Sequence, residues 1–249
     1  MSWYEVRAAV RRRRGVPTLL DMWPTVSIIV PAFNEAARIE NCVRSIQLTS
    51  YDRYEMVLVD DGSTDNTFEL MKGVAAADLR IKVLSQANAG KGAALNLGLR
   101  HASGEVVVFM DADLVLSRNT VKRMLQGFAD ERTGAVCGDA RPATSDPERP
   151  RMPSSLSRGA GLLRRAIAVS GCLPACPGNI RAVSRAVLEE IGPVREDLLV
   201  GGDLELTRRV RRAGYRVAVA PCALAFADTS AIKNPGLSRA PIRSWRKVR

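Results

Sequence analysis

Apolar residues along this chain come in short unbroken runs separated by amphipathic stretches, a rhythm that predicts strands alternating with helices. Val26-Ser-Ile-Ile-Val30 is β-branched and closed by Pro31, as expected of a strand buried on both faces. Similar runs follow at Glu55 to Val59, Ile81 to Leu84, Glu105 to Met110, Ala135 to Cys137 and Arg216 to Ala220. Helical patterns are expected near 35–48, 66–77, 90–102, 117–129, 159–169, 184–191 and 203–213. This alternation argues for an α/β fold with a mainly parallel central sheet and helices on both faces. Residues 141–158 interrupt it with Pro142, Pro147, Pro150 and Pro153 among charged residues and serines, and read as an exposed loop or lid.

Sheets of this kind bind ligands outside the carboxyl ends of their strands, and the acidic motifs fall there. After the second strand, Asp60 and Asp61 precede Gly62, which permits a tight turn; Ser63, Thr64 or Asp65 can cap the next helix. Two adjacent like charges at a strand end are costly without donors or a cation, which favours ligand binding by Asp60. After the fourth strand comes Asp111-Ala-Asp113, and in an extended chain a period of two would send both carboxylates to one side. Such a pair can hold Mg2+ or Mn2+ while a diphosphate and waters complete an octahedron. Between these motifs, Gly90-Lys91-Gly92 opens a helix, where N–H groups and an ammonium can meet phosphate, although the P-loop spacing is absent. Asp203 follows Gly201 and Gly202 and admits two readings, an N-cap or a general base at a helix start.

Charge and composition narrow the partners. The 249 residues include 37 Lys and Arg against 26 Asp and Glu, a formal net charge of +11. Part of that excess sits in Arg11 to Arg14 and in the six basic residues from Lys233 to Arg249. Basic ends suit an anionic membrane surface, at roughly 1 kcal/mol per Lys or Arg near lipid. Few aromatics and no aromatic-basic interleaving argue against nucleic acid. The five cysteines read as buried free thiols of a reducing compartment, and one His leaves Cys172 and Cys176 short of a zinc site. No apolar run approaches a membrane span, and no signal peptide opens the chain. The expected location is the cytoplasm, and the basic ends leave two readings open, a peripheral place at the inner face of the membrane and plainly solvated tails.

Taken in order, Val26-Ser-Ile-Ile-Val-Pro-Ala-Phe-Asn-Glu35, Val59-Asp-Asp-Gly-Ser-Thr-Asp65, Gly90-Lys-Gly, Met110-Asp-Ala-Asp113, Pro177-Gly-Asn and Gly202-Asp203 resemble family-2 glycosyltransferases with the GT-A fold. The stretch from Asp203 to Tyr215 is most similar to polysaccharide synthases of the cellulose, chitin and hyaluronan type. The resemblance implies a single GT-A type nucleotide-diphospho-sugar-binding domain over 24–228, a basic N-terminal arm over 1–23 and a basic C-terminal tail over 229–249. It further implies an inverting, metal-dependent transfer from a nucleoside-diphosphate sugar, a UDP-hexose or UDP-N-acetylhexosamine, to a saccharide or lipid-linked acceptor. Ala32, Asn34 and Glu35 would lie along the nucleotide, Asp60 near its base and Lys91 near its pocket. Asp111 and Asp113 would serve ribose and metal-diphosphate, Asp203 would deprotonate the acceptor, and Gly202 and Trp245 would border it.

Two features depart from the synthase pattern. Gly202 stands where Glu usually precedes the base, and Arg239 to Trp245 is a degenerate form of the Gln-x-x-Arg-Trp motif. Membrane helices are absent too, which leaves a separate membrane subunit, a single sugar addition and a truncated synthase all open. Two competing readings are a polyprenyl-phosphate sugar transferase and a catalytically silent nucleotide-binding regulatory module.

Overall fold

Alternate residues of the apolar runs go to opposite faces of one sheet, and both faces are covered. A computed structural model describes residues 23–141, 180–198 and 202–228. In chain order the first half holds β1 (Val26–Ala32), α1 (Ile39–Gln47), β2 (Tyr54–Asp60), α2 (Thr67–Ala76), β3 (Ile81–Ser85), α3 (Lys91–His101) and β4 (Val106–Met110). The second half holds β5 (Leu114–Leu116), α4 (Thr120–Gln126), β6 (Thr133–Arg141), β7 (Ile180–Ser184), α5 (Arg185–Ile191), α6 (Gly202–Arg212) and β8 (Arg216–Ala227).

Ile28, Val30, Met56, Leu58, Val106 and Val108 meet α1, α2 and α4 on one face. Ile29, Val57, Val59, Val107 and Phe109 meet α3, α5 and α6 on the other. Each such side chain removed from water contributes about 1.5–3 kcal/mol, so strands apolar on both faces are stable only between two helical layers.

The strand order is β3-β2-β1-β4-β7-β6-β8-β5. β1 pairs in parallel with β2 and β4, β2 with β3, and β6 with β8. β7 and β5 run the other way, antiparallel to their neighbours. The mainly parallel sheet with helices on both faces is therefore present. Chain order reverses between β1 and β4, the kind of crevice in which ligands of open α/β sheets bind.

Three strand features depart from the expectations. β5 has three residues, too few for a periodic signal. β7 interrupts its apolar pattern with Arg181, a buried cation stacked over the Phe109 ring at 5.9 Å. β8 runs past Ala220 to Ala227, and its register with β6 shifts between Cys137 and Asp139, an irregularity of the kind that accommodates Pro221. Cys42 is a buried free thiol as expected, but Cys137 is disulfide-bonded, which corrects the reading of all cysteines as thiols. An odd count does not reveal which side chains the fold brings together. The helix near 159–169, the proline-rich stretch from 142 and both basic ends lie outside the described residues.

Candidate active site at the carboxyl edge

Because β1, β2, β3 and β4 are parallel, Ala32, Asp60, Ser85 and Met110 end on one edge. Ala32 and Asp60 are register partners, and the Ala32 carbonyl accepts the Asp61 N–H at 2.9 Å. Asp60, only 3% exposed, accepts from Ser63 N at 3.3 Å and Ser85 Oγ at 3.3 Å. Asp61 is fully buried and accepts from Gln86 Nε2 at 2.7 Å, Ala89 N at 2.9 Å and Gly90 N at 2.9 Å. The like-charge problem at this strand end is thus met by donors, and Asp61 holds the loop that delivers Lys91. A Cβ on Gly62, whose φ is +74°, would come within 2.7 Å of Asn88 N, so glycine alone lets the two loops touch.

The first loop is bolted to the second. Asn34, at φ 56°, accepts Thr64 N at 2.8 Å on its side-chain oxygen, and its own N–H donates to Ser63 Oγ at 3.0 Å. Glu35 N donates to Thr67 Oγ1 at 2.8 Å and Ala36 N to Asp65 Oδ2 at 3.2 Å. Asp65 also accepts Thr67 N at 3.0 Å, so it does the turn chemistry expected of it. The Glu35 carboxylate pairs with Arg38 at 2.8 Å, yet burial, aided by the charges of Asp113 and Asp111, pushes its pKa up to about 7.

Asp111, Ala112 and Asp113 form a turn, closed by Leu114 N donating to Asp111 O at 3.2 Å, rather than the extended segment expected. Strand alternation therefore does not align the two carboxylates; the turn brings them close enough for Asp111 to raise the pKa of Asp113, after burial as the larger cause. Lys91 Nζ forms an ion pair with Asp111 Oδ1. Asp113 Oδ1 is buried and has no hydrogen-bond partner. A carboxylate oxygen in that state is costly unless something cationic or protic meets it. Among the described residues no three His, Cys, Asp or Glu side chains converge as a metal cage. The donors fit a hard cation held by one or two carboxylates with phosphate and water completing its shell, which is the Mg2+ or Mn2+ pattern.

Other residues at this edge carry no motif. Asp228 N donates to Asp113 O at 2.6 Å, and Asn41 Nδ2 donates to Asp228 Oδ2 at 2.9 Å. Burial pushes the Cys42 thiol far up, and Asp113, Asp111, Glu35 and Asp228 act in the same sense, which marks an acidic environment assembled from three separate segments. Only folding brings Asp228 there; no spacing in the sequence could have indicated it.

α6 begins at Gly202, so Asp203 lies in its first turn rather than at the cap. Helix α6 leads into β8, which runs in the same direction as β4, so the start of α6 lies toward the carboxyl edge. Trp245 lies outside the described residues.

Comparison with known proteins agrees with this layout. Among curated proteins, the poly-beta-1,6-N-acetyl-D-glucosamine synthase of Staphylococcus aureus is 24% identical over 224 residues, which are 89% of this chain and 54% of that protein. The mannosyltransferase PcManGT from Pyrobaculum calidifontis, solved in complex with GDP-Man and Mn2+, matches with TM-score 0.70 and 30% identity over 82% of this chain and 56% of its own. TarS from S. aureus in complex with UDP-GlcNAc matches with TM-score 0.61 and 22% identity over 82% of this chain and 58% of its own, a likeness of fold. The chain spans about half the length of the curated relatives it matches. The profile of Glycosyl transferase family 2 matches residues 27–192, and with the acidic edge and the GT-A layout in place, the chain belongs to that family.

Proposed function

We propose that this chain transfers a sugar from a nucleoside-diphosphate sugar to a saccharide acceptor by a single inverting displacement, in the service of polysaccharide synthesis. The observation that carries this reading is the buried, unpartnered Asp113 Oδ1 beside the Lys91–Asp111 pair at the carboxyl edge. A hard cation held by Asp113 and Asp111 would supply charge to stabilise the leaving diphosphate. The GDP-Man and Mn2+ bound in PcManGT support a nucleotide sugar with a divalent ion, and the S. aureus synthase supports an N-acetylhexosamine polymer as the product class.

In this reading Ala32, Asn34, Glu35 and Asp60 line the nucleotide, with Asn34 already bolted into place by Thr64 and Ser63. Lys91 neutralises developing negative charge on the diphosphate. Such help counts toward rate because that charge grows as the glycosidic C–O bond breaks. Asp203 takes the proton of the acceptor hydroxyl as its oxygen attacks the anomeric carbon from the face opposite the diphosphate, and Gly202 lets the acceptor approach. Trp245 borders the acceptor.

The test is UDP and GDP binding by calorimetry, with and without chelator, for the wild type and Asp113→Ala. Binding should need a divalent ion, and the substitution should weaken it by roughly ten- to a hundredfold or more. Affinity indifferent to both chelator and substitution would refute the metal assignment. A panel of UDP- and GDP-sugars, offered with oligosaccharide or with lipid phosphate, then identifies donor and acceptor; no turnover with any donor would refute the transferase reading itself.

A further inference from the structure

The helices whose first turns carry Lys91 and Asp203 lie on the same face of the sheet, and the segment between α5 and α6 is tied to both. α3 and α6 share one apolar cluster through Ala94, Leu95, Leu206 and Val210. Gly192, at φ +83°, ends α5 and turns the chain back. From α6, Arg209 Nη1 donates to Ile191 O at 2.8 Å, at the end of α5, and to Gly192 O at 3.3 Å, where the connecting segment begins. From α3, Asn96 closes a complete amide-to-peptide pair with Val194: its Nδ2 donates to Val194 O at 2.8 Å and its Oδ1 accepts Val194 N at 2.9 Å. The same Nδ2 donates to Glu196 Oε1 at 2.7 Å.

Asn96 is only 5% exposed, so these bonds form where water does not compete for them. The approach is close because Gly92 lacks a side chain: a Cβ there would come within 2.6 Å of Arg195 O and 2.9 Å of Glu196 Cα. Surface packing alone requires neither a fully satisfied buried amide nor a bare helix turn beneath a crossing backbone.

We propose that Asn96, with Gly92 beneath the crossing, is a positioning residue: it sets the strap of residues 193–198 on α3 and thereby places the first turn of α6 relative to Lys91. The proposal rests on the functional reading above. It assigns Asn96 no contact with substrate. A shift of about an ångström between a base and a bound donor can cost on the order of a hundredfold in rate while leaving nucleotide binding alone, because nucleotide contacts lie on β1, β2 and the α3 start.

The experiment compares wild type with Gly92→Ala, Asn96→Asp and Asn96→Asp combined with Glu196→Gln. Asn96→Asp keeps the acceptor for Val194 N but sets a carboxylate against Val194 O and Glu196; Glu196→Gln returns one donor. Gly92→Ala leaves every hydrogen-bonding group in place and favours the helix, so it covers the case in which Asn96→Asp fails to fold. Hydrogen exchange should quicken at 193–198 and in the first turn of α6 in both single variants, with β1 to β4 unaffected. Transfer kcat should fall roughly ten- to a hundredfold in both single variants, with the nucleotide-sugar KM within about threefold in Asn96→Asp, and the double variant should recover part of the lost rate. Unchanged exchange at the first turn of α6 in both single variants overturns the proposal. So does quickened exchange with unchanged kcat, or equal loss of nucleotide affinity and rate in Asn96→Asp. A wild type that transfers no sugar while the exchange pattern appears as expected refutes the transferase reading and leaves the mechanical linkage standing.

Discussion

At the residue scale, neighbouring carboxylates are set apart by what surrounds them. Asp61 is surrounded by three donors and holds a loop, while Asp113 keeps an unpartnered buried oxygen. Glu35 is raised from 4.5 to about 7 by burial, so folding takes up a proton there between those values. That contribution to stability is fully present below pH 4.5 and is lost as the pH rises through about 7. In metal-free protein, Glu35→Gln should flatten the fall of urea-denaturation stability over that window, leaving the share due to Asp113, which is raised in the same direction. An unchanged slope would mean that Glu35 is solvated and ordinary. For Asp203, the amide in Asp203→Asn keeps the shape but cannot take a proton. Transfer should drop by roughly 10²–10⁴ with nucleotide affinity and melting temperature nearly intact. Activity within a few-fold of wild type would remove Asp203 from the mechanism.

At the element scale, helix α3 connects the acidic edge to the strap. Its start carries Lys91, its middle holds the strap through Asn96, and its seat on the sheet is unusually close at Gly98. A Cβ on Gly98 would come within 2.5 Å of Ile29 Cγ2 and 3.2 Å of Val59 Cγ2. Those methyls belong to β-branched side chains fixed in two buried strands, so they have little room to yield. Gly98→Ala should therefore lower the urea midpoint, because overpacking of about 1–3 kcal/mol exceeds the helix-propensity gain of about 1 kcal/mol. A higher midpoint would show that α3 lifts off the sheet freely. The extents of α3 and of the first four strands were legible, since each strand is a largely apolar run and the helix fills the stretch between a glycine-rich start and the next such run. β5 and β7 were not, because three residues carry no period and a buried Arg181 mimics exposure in a sequence.

At the scale of the whole molecule, the charge of +11 contrasts with an acidic edge, and the basic runs at 11–14 and 233–249 lie outside the described residues. Among the described residues no helix is long and apolar enough to cross a membrane. Docking on an anionic leaflet by those runs predicts binding to vesicles rich in phosphatidylserine, with release by moderate salt as the Debye length shortens. Equal partitioning onto neutral vesicles would count against it. By itself the sequence determined the two-faced strands, the helices between them and the acids at strand ends, because periodicity and turn chemistry are local and act over a few residues. Tertiary structure alone decided that Asp113 is brought to Asp111 by a turn, that Asp228 joins them, that Asp61 is a clamp and that Asn96 grips the strap. Each of these depends on which donor or charge arrives from a distant segment, and a residue's spacing along the chain carries no record of that partner.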